Sequence, residues 1–154
     1  MMYDTFTYRN ADAIIHSKSD RRQEIETMLI TLPDKHPVAG LHRKIQNALA
    51  QVGWSKEELV SHSLKKVQSF DNYKDRIALE IELSRYEFVY RDYFRFLLAY
   101  NEDKIDIGVL IVFTEDARSK YKDASSAPSY QICIDELPNL KPMLGVPIWV
   151  IGLA

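Results

Sequence analysis

The sequence predicts one domain of the mixed α/β (α+β) class, in which a mixed β-sheet is flanked by helices. Apolar residues recur every three or four positions over 19–53, alternate with polar residues over 76–83, and form near-continuous runs at 105–113 and 146–152. These patterns are typical of amphipathic helices, a half-buried strand and fully buried strands, respectively. No linker or repeat divides the 154 residues, so the predicted domain spans 1–154.

The helices of the N-terminal half are predicted first. One covers 19–32, and a second runs from Pro37 to Gly53, residues that favour the start and the end of a helix. Ser55 and Glu58 have the spacing of a capping box, which predicts a short helical turn at 56–60.

From residue 64 the pattern changes to strands. Two strands joined by turn-forming residues are predicted at 64–70 and 76–83, with the turn at 71–75. The rest is predicted as a helix at 89–100, a strand at 105–113, a short helix near 135–143 and a last strand at 146–152. Helices and strands in this order favour a sheet covered on its faces by helices.

Composition excludes several classes of protein. The net charge of −2 is far from the strongly basic balance of proteins that bind nucleic acid mainly by charge. The one cysteine, Cys133, cannot form an internal disulfide, no secretory signal is visible, and no apolar run reaches the roughly 20 residues of a membrane span. We therefore expect a cytoplasmic protein without a membrane partner.

Common catalytic motifs are missing as well. The sequence has no Gly-rich phosphate loop, no Gly-x-Ser-x-Gly elbow and no zinc pattern. Its four histidines lack the spacing of metal ligands, so surface or packing roles are favoured for all of them: His16, His36, His42 and His62.

Three carboxylates are the most informative residues. Glu80 and Glu82 alternate with apolar residues, so they share one face of the predicted strand, about 7 Å apart. Asp71 precedes the tight connection and is expected to approach Glu80 from the neighbouring strand. Oxygen ligands from two strands suit a hard cation such as Mg²⁺. The pattern alone, however, is also that of a strand with one ordinary solvated face, which is the commoner case.

An ordered series of motifs adds to this pattern. Asp71-x8-Glu80-x-Glu82 is followed by Arg91-Asp92-Tyr93-Phe94-Arg95-Phe96 and by Ile105-Asp106-Ile107-Gly108-Val109-Leu110-Ile111. The series resembles the BglII/BamHI-type restriction endonucleases of the PD-(D/E)XK nuclease superfamily, well over 71–113 and loosely over 40–152. The resemblance implies a restriction-endonuclease-like fold for the whole domain.

The resemblance also implies a function. Asp71 and Glu80 would be metal ligands together with the backbone carbonyl of Ile81, and Glu82 would orient or deprotonate the attacking water. The implied activity is a type II restriction-enzyme-like hydrolysis of DNA phosphodiester bonds that depends on Mg²⁺, with Mn²⁺ as a substitute. The implied partner is double-stranded DNA, and cutting both strands implies a homodimer.

Other residues are candidates for contact with DNA or for completing the site. Lys74 is a candidate phosphate contact, although a solvated turn lysine is the commoner case. Arg91 and Arg95 share a helix face and would grip the backbone if that face lines the cleft, but Arg91 pairs equally well with Glu87. The resemblance implies a further acidic or amide group from the N-terminal part, for which there are four candidates: Gln46, Asn47, Glu57 and Glu58.

Two competing hypotheses come from other classes. The first is a non-catalytic DNA-binding or regulatory protein that retains the nuclease fold, which the near-neutral charge favours. The second is a small interaction module whose Glu80 and Glu82 are ordinary surface residues.

Overall fold

The computed structural model describes residues 1–33, 38–61, 69–121 and 124–154. Its helices and strands follow one another along the chain in this order: β1 (Tyr3–Tyr8), α1 (Ala11–Ser17), α2 (Ser19–Thr31), α3 (Val38–Gln51), β2 (Asn72–Lys74), β3 (Ile77–Ile81), α4 (Phe88–Asn101), β4 (Ile107–Phe113), α5 (Glu115–Lys120), α6 (Tyr130–Glu136), a 3₁₀ turn (Leu137–Leu140) and β5 (Ile148–Leu153).

The sheet is mixed, as predicted. Its strand order is β1-β5-β4-β3-β2, and the three central strands, β3, β4 and β5, are parallel. The two edge strands, β1 and β2, are antiparallel to their neighbours. Every residue of β4 and β5 is buried, which explains why these segments read as continuous apolar runs in the sequence.

Helices cover both faces of this sheet. One core cluster joins apolar residues of α2 and α3, such as Ile25 and Ile45, to Leu79 and Ile111 of the central strands. The other packs α4 and α6 against the opposite face. Here Gly108 is required by a close approach, because a Cβ at this position would lie 2.6 Å from the Phe96 ring. None of the described helices is both long and apolar enough to cross a bilayer.

The hairpin formed by β2 and β3 differs from the prediction. Residues 72–74, predicted as turn, form β2 itself, and Lys74 pairs with Ile77 across a two-residue turn made of Asp75 and Arg76. Both turn residues have positive φ, 49° and 65°, as the type of turn that fits the twist of a hairpin requires. The predicted strand at 64–70 lies mostly outside the described residues.

Other predicted elements were wrong or displaced. The helical turn at 56–60 is not formed, because the backbone N–H of Ser55 and its hydroxyl both donate to the Tyr73 carbonyl instead of capping a helix. The short helix expected near 135–143 begins earlier, at Tyr130, where the side chain of Ser129 caps it. The sequence patterns did not predict β1, α1 or α5, which are short.

Candidate active site

The predicted carboxylates meet at a cavity beyond the carboxyl end of β3. The cavity has a volume of about 400 Å³ and lies between this strand end, α4 and α3. Among the described residues its lining is His42, Ser69, Asp71, Glu80, Ile81, Glu82, Leu83, Ser84, Phe88, Arg91, Asp92 and Arg95. The cavity therefore gathers charged groups from two helices and a hairpin.

Asp71 and Glu80 come together through the register of the hairpin. The last paired residues are Asn72 and Leu79, so Asp71 lies opposite Glu80. One oxygen of Asp71, Oδ2, accepts a hydrogen bond of 2.8 Å from the backbone N–H of Ile81. The carboxylate oxygen thus replaces the backbone carbonyl that would accept this hydrogen bond if the strand continued, and the β2–β3 ladder ends here. The three proposed metal-binding positions all line the cavity.

Glu80 of β3 and Glu82, which directly follows this strand, are both buried. Glu80 is 2% exposed and Glu82 is 4% exposed, so neither lies on an ordinary solvated face. Burying an ionised carboxylate is costly unless it is paired or hydrogen-bonded. Their burial removes the ordinary-surface interpretation that the alternating pattern alone favours.

Glu82 is held by the loop that follows it. Its Oε1 accepts three hydrogen bonds, from the backbone N–H and the hydroxyl of Ser84 and from the backbone N–H of Arg85, at 2.9, 2.6 and 3.0 Å. Its Oε2 lies 3.5 Å from Nη2 of Arg91. One oxygen is therefore used for anchoring, and the other points toward the charged groups of α4.

A chain of ion pairs connects the two glutamates through α4. Nη1 of Arg95 donates to Oε1 of Glu80 over 2.9 Å and lies 3.4 Å from Oδ1 of Asp92. The same Oδ1 lies 3.4 Å from Nε of Arg91, whose Nη2 faces Glu82. Asp92 is 1% exposed. A single oxygen of a buried carboxylate therefore lies against two guanidinium groups.

The sequence analysis placed Arg91 and Arg95 together as DNA contacts, but the structure gives them different surroundings. Arg95 is buried and lies against Glu80 and Asp92, so its guanidinium cannot grip a DNA backbone in this arrangement. Arg91 is half-buried at the rim, with its guanidinium 4.5 Å from the centre of the Phe88 ring. Glu87, its suggested partner, instead lies 3.9 Å from Arg85.

His42 of α3 joins the site, although its sequence context favoured a surface or packing role. Its Nε2 lies 3.0 Å from Oδ1 of Asp71, at ion-pair distance but without the alignment of a hydrogen bond. The contact with Asp71 raises the pKa of His42 in spite of burial, which acts in the opposite direction. Burial raises the pKa of Asp71, but His42 and the Ile81 N–H outweigh it, so that this pKa lies below its ordinary value.

Two other carboxyl groups have pKa values shifted the other way. Burial raises the pKa of Glu80 well above its ordinary value, and the negative charges of Asp92 and Asp71 add to the rise while Arg95 opposes it. Burial likewise raises the pKa of Asp92 to about 7, against the opposing charges of Arg91 and Arg95. Raised pKa values in a cleft are typical of functional sites.

The charges that line the cavity act in addition to burial. Four carboxylates line it, Asp71, Glu80, Glu82 and Asp92, against the two guanidinium groups. With all four carboxyl groups ionised, the excess is two negative charges when His42 is neutral and one when it is protonated, and a divalent cation would offset it. Protonation is the alternative way to remove that excess, and it appears as raised pKa values.

The oxygen-rich donor set fits a hard cation. Mg²⁺ is usually held by one or two carboxylates plus water and substrate phosphate rather than by a complete protein cage. Among the described residues, no group of three or more His, Cys, Asp or Glu side chains is arranged to hold a metal ion. Asp71, Glu80 and the Ile81 carbonyl would form a smaller set of oxygen ligands, of the kind that suits Mg²⁺.

Lys74 does not lie at the cavity. Its ammonium donates to both carboxylate oxygens of Glu24, at 2.9 and 3.2 Å, and to the Val52 carbonyl at 2.6 Å. These bonds connect β2 to the N-terminal helices. The prediction of a phosphate contact beside Asp71 is therefore corrected, because a lysine on an antiparallel strand three residues later points away from the aspartate.

Nor do the four acidic and amide candidates from the N-terminal part line the cavity. Gln46 comes nearest, since its side-chain amide donates to the Asp71 backbone carbonyl over 3.0 Å. His42, one helical turn before it, points into the cavity instead. The signal that would have identified His42 is its position four residues before Gln46, on the same helix face.

Comparison with known proteins agrees with this architecture. The family model described as "Restriction endonuclease BglII/BglIII" matches residues 3–153, nearly the whole chain. The chain belongs to the BglII/BglIII restriction endonuclease family. The resemblance inferred from the ordered motifs is thereby confirmed. A search of curated protein sequences gives no match.

Solved structures of BglII itself have the same fold. The crystal structure of restriction endonuclease BglII complexed with a DNA 16-mer matches with a TM-score of 0.86 and 19% identity, covering 100% of this chain and 78% of that one. The crystal structure of free BglII matches with a TM-score of 0.73 and 20% identity, covering 100% and 80%. The restriction-endonuclease-like α+β fold is thus confirmed.

Proposed function

We propose that this chain is a type II restriction-enzyme-like endodeoxyribonuclease that requires Mg²⁺ or, as a substitute, Mn²⁺. The observation that carries the proposal is the buried meeting point of Asp71, Glu80 and Ile81, in a chain of a restriction endonuclease family. A divalent cation bound there would lower the pKa of a water molecule and neutralise charge that develops on the phosphate. The solved BglII complex with DNA supports double-stranded DNA as the partner.

In this proposal the residues of the cavity have separate roles. Asp71 and Glu80 hold the cation, with the Ile81 carbonyl. Glu82 orients the attacking water through Oε2, because the Ser84 and Arg85 donors already fix Oε1. The orientation of a reacting water by a fixed carboxylate needs no movement of the protein at the moment of reaction.

Plasmid cleavage tests the proposed activity. With Mg²⁺ or Mn²⁺ the protein should cut supercoiled DNA, and Glu80→Gln should lower the rate by about 100-fold or more, beyond the usual effect of changing a group that supports a metal ligand. Glu87→Gln is the matched control, since Glu87 is exposed and does not line the cavity. Equal cleavage by the two variants would contradict the assignment of Glu80.

Binding without cleavage would identify the alternative function. If the protein retains duplex DNA on a gel but never cuts it with Mg²⁺ or Mn²⁺, it is a non-catalytic DNA-binding member of the family. A mobility-shift assay with the same duplex, performed in EDTA and in each metal, separates this outcome from a failure to bind DNA.

Arg91 is the proposed contact with a DNA phosphate. Its guanidinium lies at the cavity rim, half-buried and stacked near Phe88, within reach of a strand that enters the cavity. Arg91→Met should weaken duplex binding uniformly across sequences and reduce the slope of log affinity against log salt by about 1. An unchanged salt slope would remove Arg91 from the proposed DNA surface.

The proposed assembly is a homodimer, since cutting two strands calls for two sites related by a two-fold axis. Supporting this, α4 and the segment after α6 expose an apolar groove of about 190 Å³ that includes Phe94 and Met143, the latter 72% exposed. Phe94→Ser should shift the protein to monomer in analytical ultracentrifugation. Ile30→Ser, a change at an apolar residue of α2 that is also more than half exposed, should leave the assembly unchanged.

A further inference from the structure

Asp92 has no role in the proposed reaction as described so far, yet it is the most buried charged residue of the cavity. It comes from α4, one turn before Arg95, and its Oδ1 lies 3.4 Å from both Arg91 and Arg95. Burying a carboxylate to this extent is costly unless opposite charges lie close to it. Here they are the two guanidinium groups, which also face Glu80 and Glu82.

The arrangement places Arg95 between two acceptors. Its Nη1 reaches Glu80 at 2.9 Å and Asp92 at 3.4 Å. Asp92 therefore shares this Nη1 with Glu80, which is the carboxylate that the proposed divalent cation has to use. A guanidinium and a metal ion compete for the same oxygens, because both are attracted by the same negative charge.

We propose that Asp92 is a positioning residue that draws Arg95 partly away from Glu80 and so keeps the Glu80 carboxylate available to a divalent cation. This inference rests on the proposed metal-dependent function. Arg91 is expected to have the opposite effect on the availability of Glu80. Because Arg91 uses the same Oδ1 of Asp92, its presence weakens the hold of Asp92 on Arg95.

The first test compares two aspartates that each face two cations. Asp92→Asn should weaken Mn²⁺ binding to the full-length protein, measured by isothermal titration calorimetry without DNA, by about 10- to 100-fold. Asp106→Asn is the matched control. Asp106 faces Lys18 and Arg76 at 3.1 and 2.9 Å, at the other end of the sheet, so this change should leave Mn²⁺ affinity within about twofold.

The second test uses two arginines and remains informative if Asp92→Asn does not fold. Arg91→Met frees Oδ1 for Arg95 and should tighten Mn²⁺ binding severalfold. Arg85→Met removes the same charge from the loop beside the cavity, where the Arg85 side chain is exposed and faces Glu87 rather than Asp92, and should change the affinity less. Equal tightening in both variants would mean that net charge alone acts, which overturns the inference.

The outcomes separate the inference from the proposed function. If the wild-type protein binds no Mn²⁺ at millimolar concentrations, the metal-dependent function itself fails. If the wild type binds Mn²⁺ and Asp92→Asn binds it equally well, only the role of Asp92 fails. A loss of thermal stability in Asp92→Asn without a change in Mn²⁺ affinity would make Asp92 purely structural.

Discussion

Ion pairs of the same residue types lie at both ends of β3 and β4, but their burial differs. At the amino ends, Asp106, Asp103 and Asp75 face Lys18, Arg76 and Arg21, and these side chains are exposed or half-buried. At the carboxyl end of β3, four carboxylates face two guanidinium groups, and most of them are buried.

The two aspartates of these networks illustrate what the difference means. Each faces two cations, yet the pKa of Asp106 is lowered, because Arg76 and Lys18 outweigh its partial burial. The pKa of Asp92 is raised to about 7, because its burial and the nearby Glu82 outweigh two arginines. Ion pairs such as those of Asp106 are ordinary surface pairs, whereas buried carboxyl groups with raised pKa values are typical of functional sites.

Removing one arginine from each end should give the largest difference. Arg95→Met leaves Glu80 and Asp92 without their shared cation, and losing one partner of a buried pair typically costs about 3–5 kcal/mol of unfolding free energy. Arg76→Met breaks two pairs that are more exposed, those with Asp103 and Asp106, and should cost about 1 kcal/mol or less of unfolding free energy. Urea unfolding at pH 8 measures both losses of unfolding free energy. Similar losses would show that the buried network stabilises the fold no more than the exposed pairs do.

The pH dependence of stability should differ in sign between the two ends. Asp92, with a pKa raised from 3.8 to about 7, binds its proton more tightly when folded, so its contribution is fully present below pH 4 and is lost as the pH rises toward 7. The upper bound is about 4 kcal/mol for a shift of this size. Asp106, with a lowered pKa, stabilises above pH 4 and loses this as the pH falls further.

Thermal or urea unfolding between pH 3 and pH 8 checks this prediction. Asp92→Asn should flatten the dependence between pH 4 and pH 7, and Asp106→Asn should flatten it only at the acid end. If Asp92→Asn leaves the curve above pH 4 unchanged, the raised pKa of Asp92 is not present in solution.

Salt should have the smallest effect on these losses of unfolding free energy, and it should act on the exposed pairs at the amino ends of the strands. Raising NaCl from 0.1 to 1 M shortens the screening length from about 10 to 3 Å, which weakens exposed pairs far more than buried ones. The cost of Arg76→Met should shrink by a few tenths of a kcal/mol, while that of Arg95→Met stays constant. An equal salt response at both ends would indicate that water enters the buried network.

The convergence of the carboxylates could be predicted from the sequence because it depends on local geometry. Alternation over 76–83 gives Glu80 and Glu82 a common face, and a tight hairpin brings Asp71 back to Glu80. This holds even though the turn was predicted at 71–75, where residues 72–74 in fact form β2. The buried strands β4 and β5 were predicted for a similar reason, since their apolar character is continuous.

The remaining parts of the site depend on how helices pack against the sheet, which no short pattern contains. His42 reaches Asp71 only because α3 lies beside the hairpin, and Asp92 faces inward only because α4 covers the carboxyl end of β3. β1 was not predicted because it is an edge strand whose residues, apart from Tyr8, are exposed or half-buried, and among the described strands it pairs with β5 alone.

The two-residue turn at Asp75 and Arg76 has a consequence for sequence variation in this protein. Strand side chains alternate between the two faces of a sheet, so a single residue inserted into this turn, without a compensating bulge, would move Asp71 to the face opposite Glu80. Substitutions in the turn leave this parity intact, whereas changes in its length do not. The hairpin is therefore expected to tolerate changes of residue type at these two positions far better than insertions or deletions.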